Sequence, residues 1–460
     1  MKMIKPVLDL EFKPAVIELR EFNKEVIESG HSNRLIISIK RNKGYIYSRE
    51  FLIFEDGYND ERNIFIIERF IKTVLWICGG YEIYIAGSKK VYEAIKEAYS
   101  PTGSRAFDYD FMSTVYETNV KVIESTIEDI PHEISAEFSI GGHLEGKRIG
   151  FDAGGSDRKV SAVVDGKVIY SEEKVWLPKL NEDPNYQFDG IFDSFYTAYQ
   201  KMGDVDAIGV STAGVIIDNK PMVSSLFIKV DKKKHFEFIK QIYINAAKKL
   251  ESIVGHQIPI EVANDGDVTA LAGSIDLKDG GILGIAMGTS EAAGYVNEDG
   301  NLLGWISELA FAPIDFNKDA MKDEWSGDYG VGCKYLSQDA VIKLAKKANI
   351  EIDESLTLAE KLKYIQKLNE EGNELANQIF ESIGVYLAYA VAYYAEFYKI
   401  KHVLILGRVT SGKGGDTILK VAQETLHKQF KEYQNIDFSM PSEYMRRVGQ
   451  SIAAASLAKK

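Results

Sequence analysis

Three closely spaced runs of β-branched residues after Arg148 constrain the fold more than any other feature of the chain. The runs are IGFDAGG, KVSAVVDG and KVIYSEE, and Gly-Gly or Asp-Gly pairs mark their junctions. Such pairs form the tight turns that join antiparallel strands. The pattern therefore predicts a three-stranded meander, whose first turn follows Asp152 and Ala153 and contains two glycines.

Predicted helices and strands alternate after this meander. A helix ending in FDSFYTAYQKM precedes the strand AIGVSTAG, the helix HFEFIKQIYINAAKKL and the strand IPIEVAND. The second part repeats the theme with GILGIAMGTSEAAGYV, a long helical region and the strand HVLILG. This alternation is typical of layered α/β domains.

The length of 460 residues exceeds what one hydrophobic core usually supports, so we expect two or three domains with a cleft between lobes. Residues 1–147 contain the order strand, strand, helix, strand, helix, which predicts an N-terminal α/β domain. We place a first lobe at 148–275 and a second lobe at 276–460. The N-terminal domain is interpreted either as an unrelated extension or as a degenerate copy of one α/β half.

Composition excludes several classes of function. A formal net charge of −13 argues against a surface that tracks nucleic-acid phosphates, so no nucleic acid partner is expected. Cys78 and Cys333 are the two cysteines, and they form neither a C-x-x-C pair nor a disulfide framework. We expect reduced thiols, no export signal, no membrane span and a cytoplasmic location.

The loop that begins at Asp152 has the residues that phosphate binding needs. Gly154 and Gly155 allow main-chain N–H groups to approach phosphate oxygens, and Ser156 adds a hydroxyl. A carboxylate at a strand end can hold Mg²⁺ through water. The same letters also fit a plain hairpin turn.

Three further stretches carry candidate chemistry. Asn264 and Asp265 follow the strand IPIEVA, where a carboxylate can accept a proton from a hydroxyl, although both residue types also cap helices. In ILGIAMGTS a buried strand opens into small residues at Gly288. In VLILGRVTSGKGGD a buried strand opens into a Gly-rich turn at Gly407, without the Walker spacing.

The order of these stretches resembles the ROK family (repressors, uncharacterised frames and sugar kinases) of the actin-like ATPase superfamily, from about Arg148 to Lys460. FDAGGSDRK is similar to the family's D-x-G-G-T loop, VANDGDVTALAG to E-N-D-x-N-x-A-A-L-x-E, and MGTSEAAGYV to the second phosphate loop. DAIGVSTAGVI resembles the loop on the sugar side of the cleft, and ILGRVTSGKGGDTIL the adenosine motif. The resemblance implies a two-lobed, ribonuclease H-like kinase fold preceded by the N-terminal α/β domain. On this basis a degenerate N-terminal copy would be ribonuclease H-like.

The resemblance also implies roles for individual residues. Asp265 takes the place of the catalytic base and Asp152 that of the Mg²⁺ ligand. The implied substrate-binding residues are Asn264, Glu308, Ser211 and Thr212. The implied nucleotide-binding residues are Gly154, Gly155, Ser156, Gly288, Thr289, Ser290, Gly407 and Arg408.

The chain departs from the family pattern at several positions. SELAFAPID stands where the family has G-E-x-G-H, so Glu308 is kept and Phe311 replaces a histidine that helps bind zinc. The cysteine motif is reduced to WSGDYGVGCKYLS, which leaves Cys333 alone. We therefore expect ATP and Mg²⁺ as cofactors and no structural zinc. Ser290 and Arg408 each replace a glycine of the family pattern.

Two functions follow from these observations. The first is ATP-dependent phosphorylation of a hydroxyl of a sugar or sugar derivative, with Asp265 as the base. The alternative is a sugar-sensing regulator or scaffold that kept the fold and lost turnover. A sugar is the expected partner in both. The helix-like run YLAYAVAYYAEFY is predicted to pack on a lobe or on a second subunit, so a homodimer and a monomer both remain open.

Overall fold

The computed structural model describes residues 3–135, 140–442, 445 and 449–460. Within these ranges, each of three units is built on its own sheet, and helices cover the sheets. The N-terminal unit precedes the two lobes in the chain, as the sequence predicts. Its strands form a sheet of order β2-β1-β3-β4. Its elements are α1 (Ala15–Ser29), β1 (Ser32–Lys40), β2 (Ile46–Phe54), α2 (Asp60–Ile77), β3 (Glu82–Ala86), α3 (Lys89–Ala98), α4 (Ala106–Tyr116) and β4 (Lys121–Ser125).

The first lobe contains the predicted meander. Strands β5, β6 and β7 pair antiparallel, and β8 and β11 extend the sheet in parallel to give the order β11-β8-β5-β6-β7. The elements are β5 (Lys147–Ala153), β6 (Asp157–Val164), β7 (Lys167–Val175), α5 (Pro184–Met202), β8 (Ala207–Thr212), β9 (Val215–Ile217), β10 (Lys220–Val223), α6 (Lys232–Lys240), α7 (Ile242–Val254), β11 (Ile260–Asn264) and α8 (Asp265–Leu277).

The second lobe repeats this topology with a shorter sheet of order β13-β12-β14-β15. Strand β12 pairs antiparallel with β13 and parallel with β14. The elements are β12 (Ile282–Met287), β13 (Glu291–Val296), α9 (Gln338–Lys347), α10 (Leu358–Glu370), α11 (Glu374–Tyr394), β14 (His402–Leu406), α12 (Lys413–Gln429) and β15 (Asp437–Ser439), and the chain ends with α13 (Gln450–Ala455).

The N-terminal sheet has a different topology. Its central strand β1 pairs antiparallel with β3, whereas the corresponding central pairs of the lobes, β5 with β8 and β12 with β14, are parallel. The order β2-β1-β3-β4 and these strand directions are nevertheless those of the first-lobe sheet without β5, since β8 lies antiparallel to β6 and parallel to β11. The interpretation of residues 1–147 as a degenerate ribonuclease H-like half stays a prediction.

The C-terminal segment belongs to the first lobe, which corrects the predicted extent of the second lobe at 276–460. Helix α13 lies on β5 and β8, and a Cβ atom at Gly209 would stand 1.6 Å from the carbonyl oxygen of Ala454. The buried guanidinium of Arg148 donates to the carbonyl oxygen of Ala458 at 2.7 Å. Only a glycine permits this close approach of helix and strand.

The N-terminal unit packs on the second lobe. Both contribute to one continuous hydrophobic core, in which the tyrosines of α11 face the N-terminal unit. The Tyr389 hydroxyl donates to the carbonyl oxygen of Ile4 at 2.9 Å, and the Tyr393 hydroxyl donates to Thr73 Oγ1 at 2.9 Å. The aromatic run of α11 is thus covered within the chain by its own N-terminal unit.

A buried ion cluster reinforces this junction. The Asp328 carboxylate of the second lobe lies 2.8 Å from Arg69 Nη1, 3.3 Å from Lys72 Nζ and 2.9 Å from Arg105 Nη1 of the N-terminal unit. Burial opposes ionisation of Asp328, but the three cations outweigh it and hold the pKa of that carboxyl far below its usual range. The buried charges are therefore balanced where the Asp328 carboxylate of the second lobe meets the cations of the N-terminal unit.

Among the residues that the structure describes, no helix is both long enough and apolar enough to cross a membrane.

Candidate active site

Asp265 lies where β11 meets α8. Asn264 is the N-cap of that helix, since its Oδ1 accepts from the N–H of Gly266 at 2.7 Å. Its Nδ2 donates to the carbonyl oxygen of Gly214 at 2.8 Å, which ties the cap to the hairpin β9–β10. Asp265 Oδ1 accepts from the same N–H at 3.0 Å, so the two side chains share this donor and Asn264 makes the shorter bond.

Asp152 lies at the end of β5 beside Asp265. Strand pairing places Asp152 next to Ser211 on β8. Burial raises the pKa of Asp152, the Ser211 hydroxyl partly offsets this, and the charge of Asp265 adds to the increase. Burial also raises the pKa of Asp265. Two neighbouring carboxylates with raised pKa values form a site that a cation or a proton stabilises.

The two predicted hydroxyl ligands on β8 lie inside the lobe. Thr212 is fully buried, and its Oγ1 lies 2.8 Å from the Tyr243 hydroxyl. Its assignment as a substrate-binding residue is a correction, because the side chain points into the core. Ser211 is also fully buried, and its hydroxyl, on the strand position paired with Asp152, has no hydrogen-bond partner among the described residues.

The first glycine loop joins β5 to β6. Trp176 orders it, since its Nε1 donates to the carbonyl oxygen of Gly154 at 2.8 Å. Gly155 and Ser156 are exposed at the tip. The Lys179 ammonium lies against the loop, 2.9 Å from the position that a Cβ of Gly155 would occupy. Lys179 is a candidate phosphate ligand that the sequence reading missed, and its only local signal is its place just after β7.

The second loop joins β12 to β13. Thr289 and Ser290 are exposed at its tip. The N–H of Gly288 donates to the carbonyl oxygen of Ser290 at 2.9 Å, so this donor is used within the loop. The main-chain donors of Thr289 and Ser290 are the ones placed for a ligand.

The partly buried Glu308 belongs to a group of carboxyls near Asp265. Burial raises the pKa of Glu308 to about 8, and the charges of Asp265 and Asp267 add to the shift. Burial raises the pKa of Asp267 to about 7, although the N–H of Tyr295 donates to it at 3.2 Å. Glu291 is also buried, and neither of its carboxyl oxygens has a hydrogen-bond partner among the described residues. The sequence reading missed Asp267 and Glu291.

Two cavities lie on either side of the β11–α8 junction. The first, here called the inner cavity, has a volume of about 310 Å³ and is lined by Asn264, Asp267, Trp305 and the tip of hairpin β9–β10. The second, of about 220 Å³, is lined by Asp265 and by small residues of β12 and β13. Asp265 and Asn264 therefore open onto adjacent spaces of one cleft.

A third cavity lies at the carboxyl end of β14. It has a volume of about 560 Å³, and its lining includes Gly407, Thr410 and Asp416. Leu406 lines both this cavity and the one at Asp265. Arg408 is exposed and does not line it, and Gln366 binds the Arg408 carbonyl oxygen at 2.8 Å. Ligands of open α/β sheets bind at such strand ends.

The segment that departs from the family pattern is held by aromatic packing. The ring centroid of Phe311 lies 4.7 Å from that of Trp76 and 4.9 Å from that of Trp325. Cys333 is a buried free thiol whose nearest polar partner is Asp323. Within the described part of the chain, no group of three His, Cys, Asp or Glu side chains is arranged to hold a metal ion.

Comparison with solved structures decides the fold. A ROK hexokinase from Thermus thermophilus superposes with a TM-score of 0.53 and 16% identity, covering 68% of this chain and 97% of that one. The fold is that of the ROK proteins. A ROK family transcriptional regulator, a homologue of the E. coli MLC protein, superposes with a TM-score of 0.51 and 16% identity, covering 68% of this chain and 78% of its own. No family model and no curated protein matches the sequence.

The predicted fold class is thus confirmed as the fold of the ROK proteins with an additional N-terminal region. The ROK fold accounts for about two thirds of the chain, which leaves room for the N-terminal α/β unit. Since one ROK relative is a hexokinase and the other a transcriptional regulator, the fold is common to both activities.

Proposed function

We propose that the protein is an ATP-dependent kinase that phosphorylates a hydroxyl group of a sugar or sugar derivative. The observation that carries this proposal is the placement of two neighbouring polar side chains, Asn264 and Asp265, at the start of α8. Asn264 makes the helix cap, and Asp265 keeps a mostly buried carboxylate that lines the 220 Å³ cavity. A carboxylate in that place can accept the proton of a substrate hydroxyl.

Asp265 would act as the general base. Its pKa is raised by burial, which makes the carboxylate a better proton acceptor than one in water. The sugar would bind in the inner cavity against Asn264, with Glu308 orienting its hydroxyls. Asp265 would take the proton of the hydroxyl as that oxygen attacks the γ-phosphorus of ATP.

The nucleotide would bind across the two glycine loops and the cavity at β14. The N–H groups of Gly155 and Ser156 and the Lys179 ammonium would contact the phosphates, and Thr289 and Ser290 would contact them from the second lobe. The adenosine would occupy the 560 Å³ cavity beside Gly407.

Asp152 fits the role of Mg²⁺ ligand. Burial is the main cause of the raised pKa of Asp152, the charge of Asp265 adds to it, and a bound cation would relieve this repulsion. Mg²⁺ in such sites is held by one or two carboxylates together with phosphate oxygens and water. When bound, the ion would neutralise charge on the transferring phosphoryl group.

The alternative, a regulator that senses a sugar, is favoured by Phe311 in place of the family's histidine and by the ROK regulator among the similar structures. It predicts sugar binding without turnover. Incubation of the purified protein with Mg-ATP and a panel of sugars distinguishes the two functions. Formation of a sugar phosphate supports the kinase, and sugar binding without any product supports the regulator.

A further inference from the structure

The N-terminal unit forms one wall of the cleft. Asn42 and Lys43, in the turn between β1 and β2, line the inner cavity together with Asn264. A neighbouring space, here called the outer cavity, has a volume of about 360 Å³. Its lining includes Tyr81, Tyr116, Glu117, Thr118 and Lys220. The two cavities share Asn42, Ile217 and Asp218, so they meet where the N-terminal unit touches the first lobe.

Polar contacts define the junction between the cavities. Lys43 Nζ lies 2.8 Å from Asp218 Oδ1, and Asn42 Nδ2 lies 3.3 Å from the same carboxylate oxygen. Asn42 Oδ1 is buried and has no hydrogen-bond partner among the residues that the structure describes. A buried acceptor without a donor lowers the stability of the folded protein, and a ligand that donates a hydrogen bond to Asn42 Oδ1 would remove this cost.

On the first-lobe side of the junction, the tip of hairpin β9–β10 is hydrogen-bonded to β11, the strand that ends in Asn264. Asn219 Oδ1 accepts from the N–H of Val262 at 2.7 Å, and Asn219 Nδ2 donates to the carbonyl oxygen of Ile260 at 3.1 Å. The hairpin tip therefore keeps a fixed position relative to β11. A ligand that bridges the two cavities would bind to preformed walls.

The chemistry of both cavities suits a carbohydrate. The inner cavity offers the Trp305 ring with Asn264 and Asp267 beside it. The outer cavity offers Tyr81 and Tyr116, whose ring centroids are 5.3 Å apart. Aromatic faces contact the apolar C–H side of a sugar ring, while amide, carboxylate and hydroxyl groups bind its hydroxyls.

We propose that the outer cavity is a second sugar subsite and that the substrate has two sugar units. The proposal rests on the kinase function and adds the substrate class to it. The reacting unit would bind in the inner cavity near Asp265, and the other unit would bind against Asn42, Tyr81 and Thr118. The inner cavity is at the lower limit of small-ligand pockets, about 300 Å³, whereas both cavities together are well within their range.

The acidic lining of the inner cavity further restricts the class of substrate. Asp218, Glu261 and Asp267 line the inner cavity, and its one cation, Lys43, is already paired with Asp218. Burial raises the pKa of Glu261 to about 7. A second negative charge would be repelled there, so a neutral disaccharide is expected to bind and a sugar phosphate is not.

The test is calorimetric titration of the full-length protein, without nucleotide, with three pairs of probes. These are maltose and glucose, cellobiose and glucose, and diacetylchitobiose and N-acetylglucosamine. Thr118→Phe places a ring in the outer cavity, and Thr114→Phe, at an exposed position of α4 outside the lining, is the matched control. Lys220→Ala, which removes a polar group from the outer cavity, serves if Thr118→Phe fails to fold.

We expect at least one disaccharide to bind tenfold or more tightly than its monosaccharide. Thr118→Phe or Lys220→Ala should reduce that preference at least tenfold, and Thr114→Phe should keep it. Equal affinities for both members of every pair, or equal effects of Thr118→Phe and Thr114→Phe, would overturn the second subsite. Because binding is measured without turnover, disaccharide binding with no phosphorylated product would refute the kinase function alone, and monosaccharide phosphorylation without a disaccharide preference would refute the subsite alone.

Discussion

The main-chain N–H of Glu308 donates a 2.9 Å hydrogen bond to the carbonyl oxygen of Trp76. The adjacent N–H of Ser307, a residue with a left-handed φ of 49°, donates to the carbonyl oxygen of Ile77 at 3.0 Å. Carbonyl groups in the last turn of a helix have no partner within the helix. The end of α2 therefore gains two hydrogen bonds, and the segment that carries the proposed sugar ligand gains a fixed position.

Trp76→Phe tests this relationship. The buried indole N–H of Trp76 donates to Asp108 Oδ1 at 2.6 Å, and its loss leaves a buried acceptor short of one donor. We expect the free energy of unfolding to fall by about 1–3 kcal/mol. We also expect the KM for the sugar to rise, since a looser helix end holds Glu308 less firmly. Trp325→Phe, in the same aromatic cluster but more than half exposed, is the control, and an equal rise in KM there would contradict the account.

Asp328→Asn tests the ion cluster between the N-terminal unit and the second lobe. The substitution leaves the buried Arg69 without a carboxylate, while Lys72 keeps its contact with Asp108 and Arg105 its contact with Glu68. We expect a loss of about 3–5 kcal/mol in the free energy of unfolding, measured with urea, because unpaired buried charges are expensive. Asp319→Asn changes an exposed carboxylate and should cost far less. Equal losses would mean that the cluster contributes nothing specific.

Glu291 gives the protein a pH dependence of stability. Burial raises its pKa to about 8, and the charge of Glu308 adds to the shift. A carboxyl of an unfolded chain has a pKa of about 4.3, so the folded state binds the proton more tightly. This contribution to stability is complete below about pH 4 and is lost as the pH rises through about 8.

Thermal unfolding at several pH values measures this effect. We expect the Tm of the unmodified protein to fall between pH 5 and pH 8, and Glu291→Gln to make that fall smaller because the amide cannot ionise. Glu298→Gln, at an exposed position, should leave the slope as it is. A slope unchanged by Glu291→Gln would show that this carboxyl keeps its normal pKa.

Much of the fold follows from local sequence patterns. The Gly-Gly and Asp-Gly turns after Arg148 lie between β5, β6 and β7 as predicted, and Asn264 and Asp265 stand at the end of β11. These features depend on residues adjacent in the chain, whose turn and capping preferences are readable without tertiary information.

The errors concern contacts between distant residues. The alternation of side chains along β8 does not tell which face meets the cleft, since both faces of a central parallel strand are buried, and Thr212 turned out to face Tyr243. No local pattern indicates that α11 packs on the N-terminal unit or that the end of α2 binds Glu308.

Lys179→Ala tests the contact of the first glycine loop with phosphate. Hydrogen bonds to charged groups contribute about 1.5–3 kcal/mol, so we expect the KM for ATP to rise about tenfold or more. The KM for the sugar should change little. Lys167→Ala, at an exposed position of β7 away from the loop, is the control. A rise in the KM for the sugar with no change for ATP would place Lys179 outside the nucleotide site.

The central claim is that Asp265 is the base of a sugar kinase. The most direct measurement compares sugar phosphate formation by the unmodified protein, by Asp265→Asn and by the exposed control Asp299→Asn, with sugar affinity measured in parallel by calorimetry. We predict that Asp265→Asn lowers kcat by about 10²–10⁴-fold and still binds the sugar, while Asp299→Asn is fully active. An unmodified protein that forms no sugar phosphate, or an Asp265→Asn variant with full activity, would contradict the claim.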